Sequence, residues 1–355
     1  MSEHEAPGKK AAADTAAEGL SQLIARILKQ LAISAWLPAA ALVLLLAFVV
    51  HLGQVLDKAK TRPDWFDAVT TALQSMGNMT AGSFFLMLAG VIVLTMLTQA
   101  FTFDAIRVLE GYWGAFLFLE PVAGLMSAYH RWRLGGLERR LQKVTEKAWD
   151  VAEPMIYREI AHTRELTTEM VQALAHRVTG QGDDVNLTDD EDAVIDRYDW
   201  SAHSRGELLR RKINLEKRLN DYPIALHMRP TRLGNVLRRW EDETGVLPVE
   251  SLVDDRYGQL PFSLRVAHDE QRGQLDLYCS MTFVWLVVGA TAFARFRGFD
   301  DYEPYAWWLL GISLFGAWFT YRAAIASARY YGSLLVTIAP FPTQREILAQ
   351  AAQES

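Results

Sequence analysis

The hydrophobic pattern of the chain is dominated by four long runs that contain no charged residue. They cover residues 33–53, 83–103, 277–294 and 305–321. The hydrocarbon core of a bilayer is about 30 Å thick, and an α-helix needs about 20 apolar residues to cross it. The last two runs are short, but Arg295 and Arg322 at their ends can extend their charges to the interface. The pattern predicts four transmembrane helices.

The residues between the second and third runs follow the three- and four-residue spacing of amphipathic helices. A first apolar stripe consists of Leu137, Leu141, Val144 and Ala148. A second consists of Ile156, Ile160, Thr163, Thr167, Met170 and Leu174. A third consists of Leu208, Leu215 and Leu219. A fourth helix is expected to start after Pro230, with Thr231 as its N-cap. No alternation typical of a strand competes with these helices.

These patterns predict an all-α membrane protein with four transmembrane helices and a helical cytoplasmic domain inserted between the second and third. The predicted segments, in chain order, are a disordered N-terminus (1–19), a juxtamembrane helix with the first span (20–53), an extracytoplasmic loop (54–82), the second span (83–104), the helical cytoplasmic domain (105–276), the third span (277–295), a short extracytoplasmic loop (296–304), the fourth span (305–328) and a cytoplasmic C-terminal tail (329–355).

The distribution of lysine and arginine predicts the orientation, because cytoplasmic segments near span ends carry an excess of both. The segment after the second span contains Arg131, Arg133, Arg139, Arg140, Lys143 and Lys147. Only the loop at 54–82 opposes the rule, with Lys58, Lys60 and Arg62. On balance we expect a multi-pass protein of the bacterial inner membrane with both termini in the cytoplasm.

Two segments outside the spans have a distinct local pattern. The segment from Trp65 to Met79 has apolar residues at helical spacing and predicts a short interfacial helix that ends at Gly77 and Asn78. The segment from Gln181 to Asp199 is strongly acidic and is expected to be a solvated linker. A cation site is the alternative there, but the ligand spacing of a calcium loop is missing.

The sequence contains no motif that indicates a catalytic, metal or cofactor site. Phosphate-binding loops, dinucleotide-binding glycines, nucleophile elbows and zinc helices are all missing from it. The single cysteine, Cys279, lies in an apolar run and cannot form an intramolecular disulfide. The eight histidines lack ligand spacing, and the net charge of −6 is divided among local blocks. Within the spans, His51 and Gln99 are the polar residues expected to face a pore or another helix.

Two short segments stand out from the rest of the chain. They are IRVLEGYW at residues 106–113 and RPTRLGN at residues 229–235. With the overall layout, they resemble a family of uncharacterised bacterial multi-pass membrane proteins that has similar segments and a helical middle domain. The chain departs from the expected downstream pattern, since LPFSL follows Tyr257 and Gly258. The resemblance implies architecture and no activity.

Each segment admits a structural and a functional interpretation. In the first, Arg107 and Glu110 are three residues apart and could form an ion pair. In the second, Thr231 would cap a helix and Gly234 would allow close helix packing, or Arg229, Arg232 and Asn235 would bind an anionic ligand or partner. A further candidate surface is the basic face formed by Arg210, Arg211, Lys217 and Arg218. The alternative interpretation is that this basic face contacts only solvent.

The function expected from these features is that of a non-enzymatic inner-membrane protein. Its cytoplasmic domain would bind a partner or ligand and couple that state to the membrane helices, for example as a channel-like or membrane-perturbing effector. The expected partners are the bilayer, anionic lipid headgroups, an acidic protein, a nucleotide or a second copy of the chain. The alternatives are a scaffold that recruits a soluble complex and, third, a membrane enzyme with a dispersed site.

Overall fold

The computed structural model describes residues 33–59, 63–78, 81–113, 119–163, 166–181, 185–245, 249–299, 301–343 and 346. Every regular element within these ranges is a helix. The α-helices are α1 (Ile33–Lys58), α2 (Trp65–Gly77), α3 (Ala81–Glu110), α4 (Glu120–Thr163), α5 (Thr168–Thr179), α6 (Asp189–Arg197), α7 (Gly206–Leu219), α8 (Arg232–Thr244), α9 (Val249–Asp254), α10 (Phe262–Phe296) and α11 (Glu303–Ile338). Three short 3₁₀ turns lie at Trp200–His203, Ala225–His227 and Tyr257–Gln259. The expected all-helical fold is confirmed for this part of the chain.

Helices that can cross a membrane are present in the first of two compact units. This unit comprises residues 1–112 and 246–355, and the second comprises residues 113–245. Three helical segments are long and apolar enough to span a bilayer, namely Leu37–Lys58, Phe262–Phe296 and Glu303–Ile338. The second predicted span falls within the 30-residue helix α3, several of whose side chains lie outside the described residues. The count of four spans stays a prediction.

Close contacts between α10 and α11 depend on glycines. A Cβ atom added to Gly316 would come within 2.6 Å of the Trp285 ring, and one added to Gly289 would meet Ser313. About one turn beyond the Trp285–Gly316 contact, the hydroxyls of Thr282 and Thr320 lie 3.1 Å apart. Without a hydrophobic driving force in lipid, helices associate through small residues of this kind.

The helix predicted in the segment from Trp65 is confirmed as α2, which begins after the N-cap Asp64 and ends at Gly77, and its interfacial position stays a prediction. Its first residue, Trp65, stacks on Tyr305 with ring centroids 4.6 Å apart and meets the edge of Phe296 at 5.6 Å. The Tyr302 hydroxyl donates a hydrogen bond to the carbonyl oxygen of Pro63 at 2.6 Å. Helix α2 is therefore packed where the end of α10 meets the start of α11.

Both long helices of this unit extend beyond the predicted spans. Helix α10 begins 15 residues before the third predicted span, directly after Pro261, whose fixed φ suits a helix start. Helix α11 continues to Ile338, two residues before Pro340. The hydrophobic runs locate the part of each helix that suits a bilayer, whereas prolines mark where the helices begin and end.

Helix α4 is the principal element of the second unit and continues through Pro154 for 44 residues. The apolar stripes at 137–148 and 156–174 were expected in two helices, but α4 contains the first stripe and the start of the second, and the second ends in α5. Trp149, Ala152 and Ile156 are all buried in one core with residues of α5 and α6. Because this core lies on both sides of Pro154, its burial outweighs the cost of the missing backbone N–H.

The acidic segment was expected to be a solvated linker, and its described part contains a helix. Residues 189–197 form α6, with Thr188 and Glu191 making a reciprocal capping box. Four acidic residues lie in the first turn, where the positive end of the helix dipole favours them. Ile195 is buried in the core with α4 and α5. The capping box and the burial of Ile195 together stabilise helix α6.

Candidate anion-binding site

A pocket of about 370 Å³ opens on the second unit beside helices α4 and α7. Its lining is predominantly basic, with one aromatic residue at the rim. The lining residues are Trp132, Arg133, Gly136, Leu137, Arg139, Arg140, Lys143 and Arg218. Seven of them come from four successive turns of α4, and Arg218 comes from the end of α7.

The pocket concentrates positive charge that the protein does not neutralise. None of its five cationic side chains forms an ion pair with a carboxylate in the part of the chain that the structure describes. Other arginines of the same unit are paired, such as Arg177 with Asp192 and Asp196, and Arg239 with Glu243. A concave surface of one charge sign raises the local concentration of ions of the opposite sign.

An apolar cluster beneath the pocket holds α4 and α7 together. Leu134 and Leu137 of α4 pack with Leu215 and Leu219 of α7, and Tyr222 and Met228 complete the cluster. Gly136 faces open space, since an added Cβ atom would meet nothing within 4 Å. Leu137 and Gly136 are therefore the small uncharged part of a lining that otherwise consists of Trp132 and five cations.

The environment of His130, one turn before the pocket, reflects this excess of positive charge. The ring is buried, and its Nδ1 atom has no hydrogen-bond partner among the described residues. Burial lowers the pKa of His130 below its usual 6.5, the charges of Arg133 and Arg232 lower it further, and a hydrogen bond to the Pro230 carbonyl opposes them. Burial also raises the pKa of Tyr222, whose ring centroid lies 5.9 Å from that of His130. The neutral imidazole is therefore the favoured form.

The residues of RPTRLGN predicted to bind an anion make contacts within the second unit. Arg232 forms an ion pair with the buried Asp221, with Nη2 and Oδ2 2.7 Å apart. Asn235 is fully buried and hydrogen-bonds to the backbone of Arg229. The Thr231 hydroxyl accepts a hydrogen bond from the Gly234 amide at 3.1 Å, as expected for the N-cap of α8. These contacts support the structural interpretation of the segment.

The four basic residues predicted as one face of α7 have different surroundings. Arg210 donates to the carbonyl oxygen of Gly206 at 3.3 Å, and Arg211 pairs with Glu207 at 2.6 Å. Lys217 is exposed and does not line the pocket, whereas Arg218 does. The nearby acidic carboxylates of Asp192 and Asp196 pair with Arg177 of α5.

The IRVLEGYW segment terminates the helix that contains the second predicted span. Gly111 has a φ of 89°, which favours glycine, and the Tyr112 amide donates to the Arg107 carbonyl at 2.9 Å. The Arg107 guanidinium lies 4.4 Å from the ring centroid of Phe103 and 5.9 Å from that of Tyr112. Arg107 thus stacks on two aromatic rings.

The polar residues predicted within the membrane helices give no second site. His51 of α1 makes a hydrogen bond with Ser75 of α2. The side chain of Gln99 lies outside the described residues. Across the described ranges, no group of three or more His, Cys, Asp and Glu side chains could hold a metal ion. The basic pocket is therefore the site with the clearest chemical character.

Sequence reasoning recognised Arg133, Arg139, Arg140 and Lys143 only as markers of orientation. Their spacing contained a second signal, because residues 133, 136, 140 and 143 recur every three or four positions and so share one face of a helix. What the spacing could not supply was Arg218, which lies 75 residues after Lys143.

No protein-family model, curated protein or solved structure matches the chain. The resemblance to a bacterial membrane-protein family stays a prediction based on two short segments.

Proposed function

We propose that this chain is a non-enzymatic protein of the bacterial inner membrane whose cytoplasmic helical unit binds a phosphate-bearing anion in the basic pocket. The observation that carries the proposal is the lining itself. Arg133, Arg139, Arg140, Lys143 and Arg218 surround one concavity, and no carboxylate pairs with them among the described residues. Guanidinium groups bind phosphate oxygens through two parallel hydrogen bonds, which makes phosphate the best-matched anion.

The chain's layout supports a link between this ligand and the membrane helices. Residues 113–245 form a compact unit of their own between α3 and the helices that follow. With α3 as the second of four spans, the unit would be attached to the membrane part at both ends. Binding that changes the conformation of the unit would then act on two membrane helices at once, as in a channel-like effector.

Titration with pyrophosphate tests the ligand class directly. The full-length protein in a non-ionic detergent is titrated by calorimetry at low and at high salt. Loss of one charge-assisted hydrogen bond costs about 1.5–3 kcal/mol, so Arg140→Gln and Arg218→Gln should each weaken binding by about tenfold or more. Added salt should weaken binding by the wild-type protein as well.

Two matched variants separate the pocket from general charge effects. Arg131→Gln removes the same charge from α4, and Lys217→Gln removes one from α7, but neither residue lines the pocket. Both should bind pyrophosphate within about twofold of wild type, since an exposed charge outside the site acts only through screened long-range attraction. Equal losses in all four variants, or no heat of binding in wild type, would show that the pocket is not an anion site.

The proposed cytoplasmic location has its own test. Ala202 is exposed in the second unit, and the native Cys279 is fully buried, so Ala202→Cys provides one reactive thiol. In intact cells an impermeant maleimide should not label it, and in inverted membrane vesicles it should. Labelling in intact cells would place this unit outside the cytoplasm and overturn the proposed topology.

A further inference from the structure

The N-terminal third of α4 exposes an apolar stripe that no described residue covers. Val122, Leu125, Tyr129 and Trp132 have exposed fractions of 43%, 66%, 45% and 69%. The rings of Tyr129 and Trp132 lie 6.1 Å apart and form one aromatic surface. Large apolar side chains at successive turns of an exposed helix mark a site of interaction with another molecule or with a membrane.

The stripe and the basic pocket lie on the same face of the helix. The stripe positions are three or four residues apart, and the pocket positions 136, 140 and 143 continue that spacing. Trp132 belongs to both, as the last residue of the stripe and the first of the pocket lining. One continuous face of α4 therefore changes from apolar to strongly basic along its length.

This order of residues matches the surface of an anionic bilayer. Helices that lie in the interface carry aromatic and aliphatic residues on the buried side and lysine and arginine close to the phosphates. Tyr and Trp are the residues enriched at headgroup level. An acidic protein would satisfy the cations but offers no reason for a four-residue apolar stripe beside them.

The chain also restricts how far this face can be from the membrane. Helix α3, which contains the second predicted span, ends at Glu110, and α4 begins at Glu120. The nine residues between them allow these two helix ends to be no more than about 36 Å apart. With α3 in the membrane, the start of α4 cannot leave the vicinity of the bilayer surface.

We infer that this face of α4 lies on the inner leaflet, with Val122, Leu125, Tyr129 and Trp132 in the headgroup region and the phosphate of an anionic phospholipid in the basic pocket. The inference rests on the proposed function, because it names the source of the phosphate that the pocket binds. It assigns the stripe a membrane contact that pyrophosphate binding alone would not require.

The test places an environment-sensitive fluorophore on the stripe of the full-length protein. Leu125→Cys is labelled after reconstitution into nanodiscs of phosphatidylcholine with or without phosphatidylglycerol, and some of the lipid carries a spin label near the headgroup. The buried Cys279 does not compete for the label. In discs with phosphatidylglycerol the fluorescence should shift to the blue and be quenched at least twofold more than in discs without it.

Gly124→Cys is the matched control, one residue away but turned by about 100° around the helix. An added Cβ atom there meets nothing within 4 Å, so the label should not disturb α4. Its quenching should be less than half that at position 125. Equal quenching at positions 124 and 125 would mean that the helix is immersed nonspecifically in the lipid. A blue shift at position 125 without quenching would mean that protein covers the label. Either result overturns the inference.

The triple variant Arg139→Gln, Arg140→Gln and Lys143→Gln tests the headgroup in the pocket. It should reduce quenching at position 125 at least twofold, whereas the triple variant Arg131→Gln, Arg210→Gln and Lys217→Gln should not. Quenching that is unchanged by loss of the pocket cations would overturn the headgroup assignment. If the protein binds pyrophosphate but the label at position 125 is not quenched, the membrane contact is overturned and the proposed anion site is retained. The membrane contact and the anion site can therefore be rejected independently.

Discussion

The side chain of Asn235 closes a ring of two hydrogen bonds with the backbone of Arg229, six residues earlier in the chain. The Arg229 amide donates to Oδ1 at 2.7 Å, and Nδ2 donates to the Arg229 carbonyl oxygen at 3.1 Å. Asn235 is completely buried. The asparagine therefore acts as a clamp that holds the segment before α8 against the helix.

Replacement of Asn235 by leucine should destabilise the second unit by about 2–4 kcal/mol, because two backbone groups lose their partners inside the protein. Asn235→Asp keeps one acceptor but loses the donor and places an ionised carboxylate at a fully buried position, so at pH 8 it should cost at least as much as the leucine variant. The check is limited proteolysis and thermal unfolding of the full-length protein in detergent. Asn214→Leu on the exposed side of α7 is the control and should stay within about 0.5 kcal/mol of wild type.

Removal of Arg232 from its ion pair with Asp221 should destabilise the protein by more than the intact pair stabilises it. Only 3% of the Asp221 side chain is exposed, against 22% for Arg232. Arg232→Ala would leave a buried carboxylate without its cation, at a cost of about 3 kcal/mol. The double variant Asp221→Asn, Arg232→Met should recover at least half of this loss. A double variant no more stable than Arg232→Ala would show that other contacts of Arg232 dominate.

The buried His130 should make the second unit less stable at acidic pH. Its pKa is lowered in the folded protein, first by burial and then by Arg133 and Arg232. Between the folded and the unfolded pKa, only the unfolded chain binds the proton. The stabilising contribution is therefore fully present above about pH 6.5 and is lost as the pH falls through the folded pKa, with a slope of at most about 1.4 kcal/mol per pH unit.

Thermal unfolding followed from pH 8 to pH 5 measures this dependence. In His130→Gln the side chain is neutral at every pH, so its unfolding curve should be flatter between pH 6.5 and pH 5 than that of wild type. The difference between the two proteins at pH 8 reports packing alone and serves as the internal reference. Parallel curves over the whole range would contradict a neutral buried His130.

A methyl group at Gly316 should disrupt the contact between α10 and α11. Alanine usually stabilises a helix by about 1 kcal/mol relative to glycine, but here its Cβ atom would come within 2.6 Å of the Trp285 ring. We expect Gly316→Ala to lower stability by about 1–3 kcal/mol, as measured by thermal unfolding in detergent. Gly311→Ala, one and a half turns earlier in α11, meets no atom within 4 Å and should be neutral or stabilising.

Elements with a strong local signal could be predicted from the sequence alone. The helix at Trp65–Gly77, the Thr231 cap and the apolar part of α10 and α11 all follow from neighbouring residues in the chain. Hydrophobic spacing and capping are decided by the backbone within a few residues, so they are visible without a fold. The composition of the acidic segment indicated solvent exposure but not the helix, which a capping box and the burial of Ile195 stabilise.

The candidate site depended on information that is absent from any short stretch of sequence. The positions of Arg140 and Lys143 on one face of α4 follow from their spacing, but Arg218 joins them only because Leu134 and Leu137 pack against Leu215 and Leu219. In the same way, charge pattern alone grouped Arg211 with Arg218, and only the three-dimensional structure separated the paired arginine from the one in the pocket. Local sequence determined which segments become helices and which side of each is apolar. Tertiary packing decided which charges are neutralised and which remain available, because ion pairing depends on distances between residues far apart in the chain.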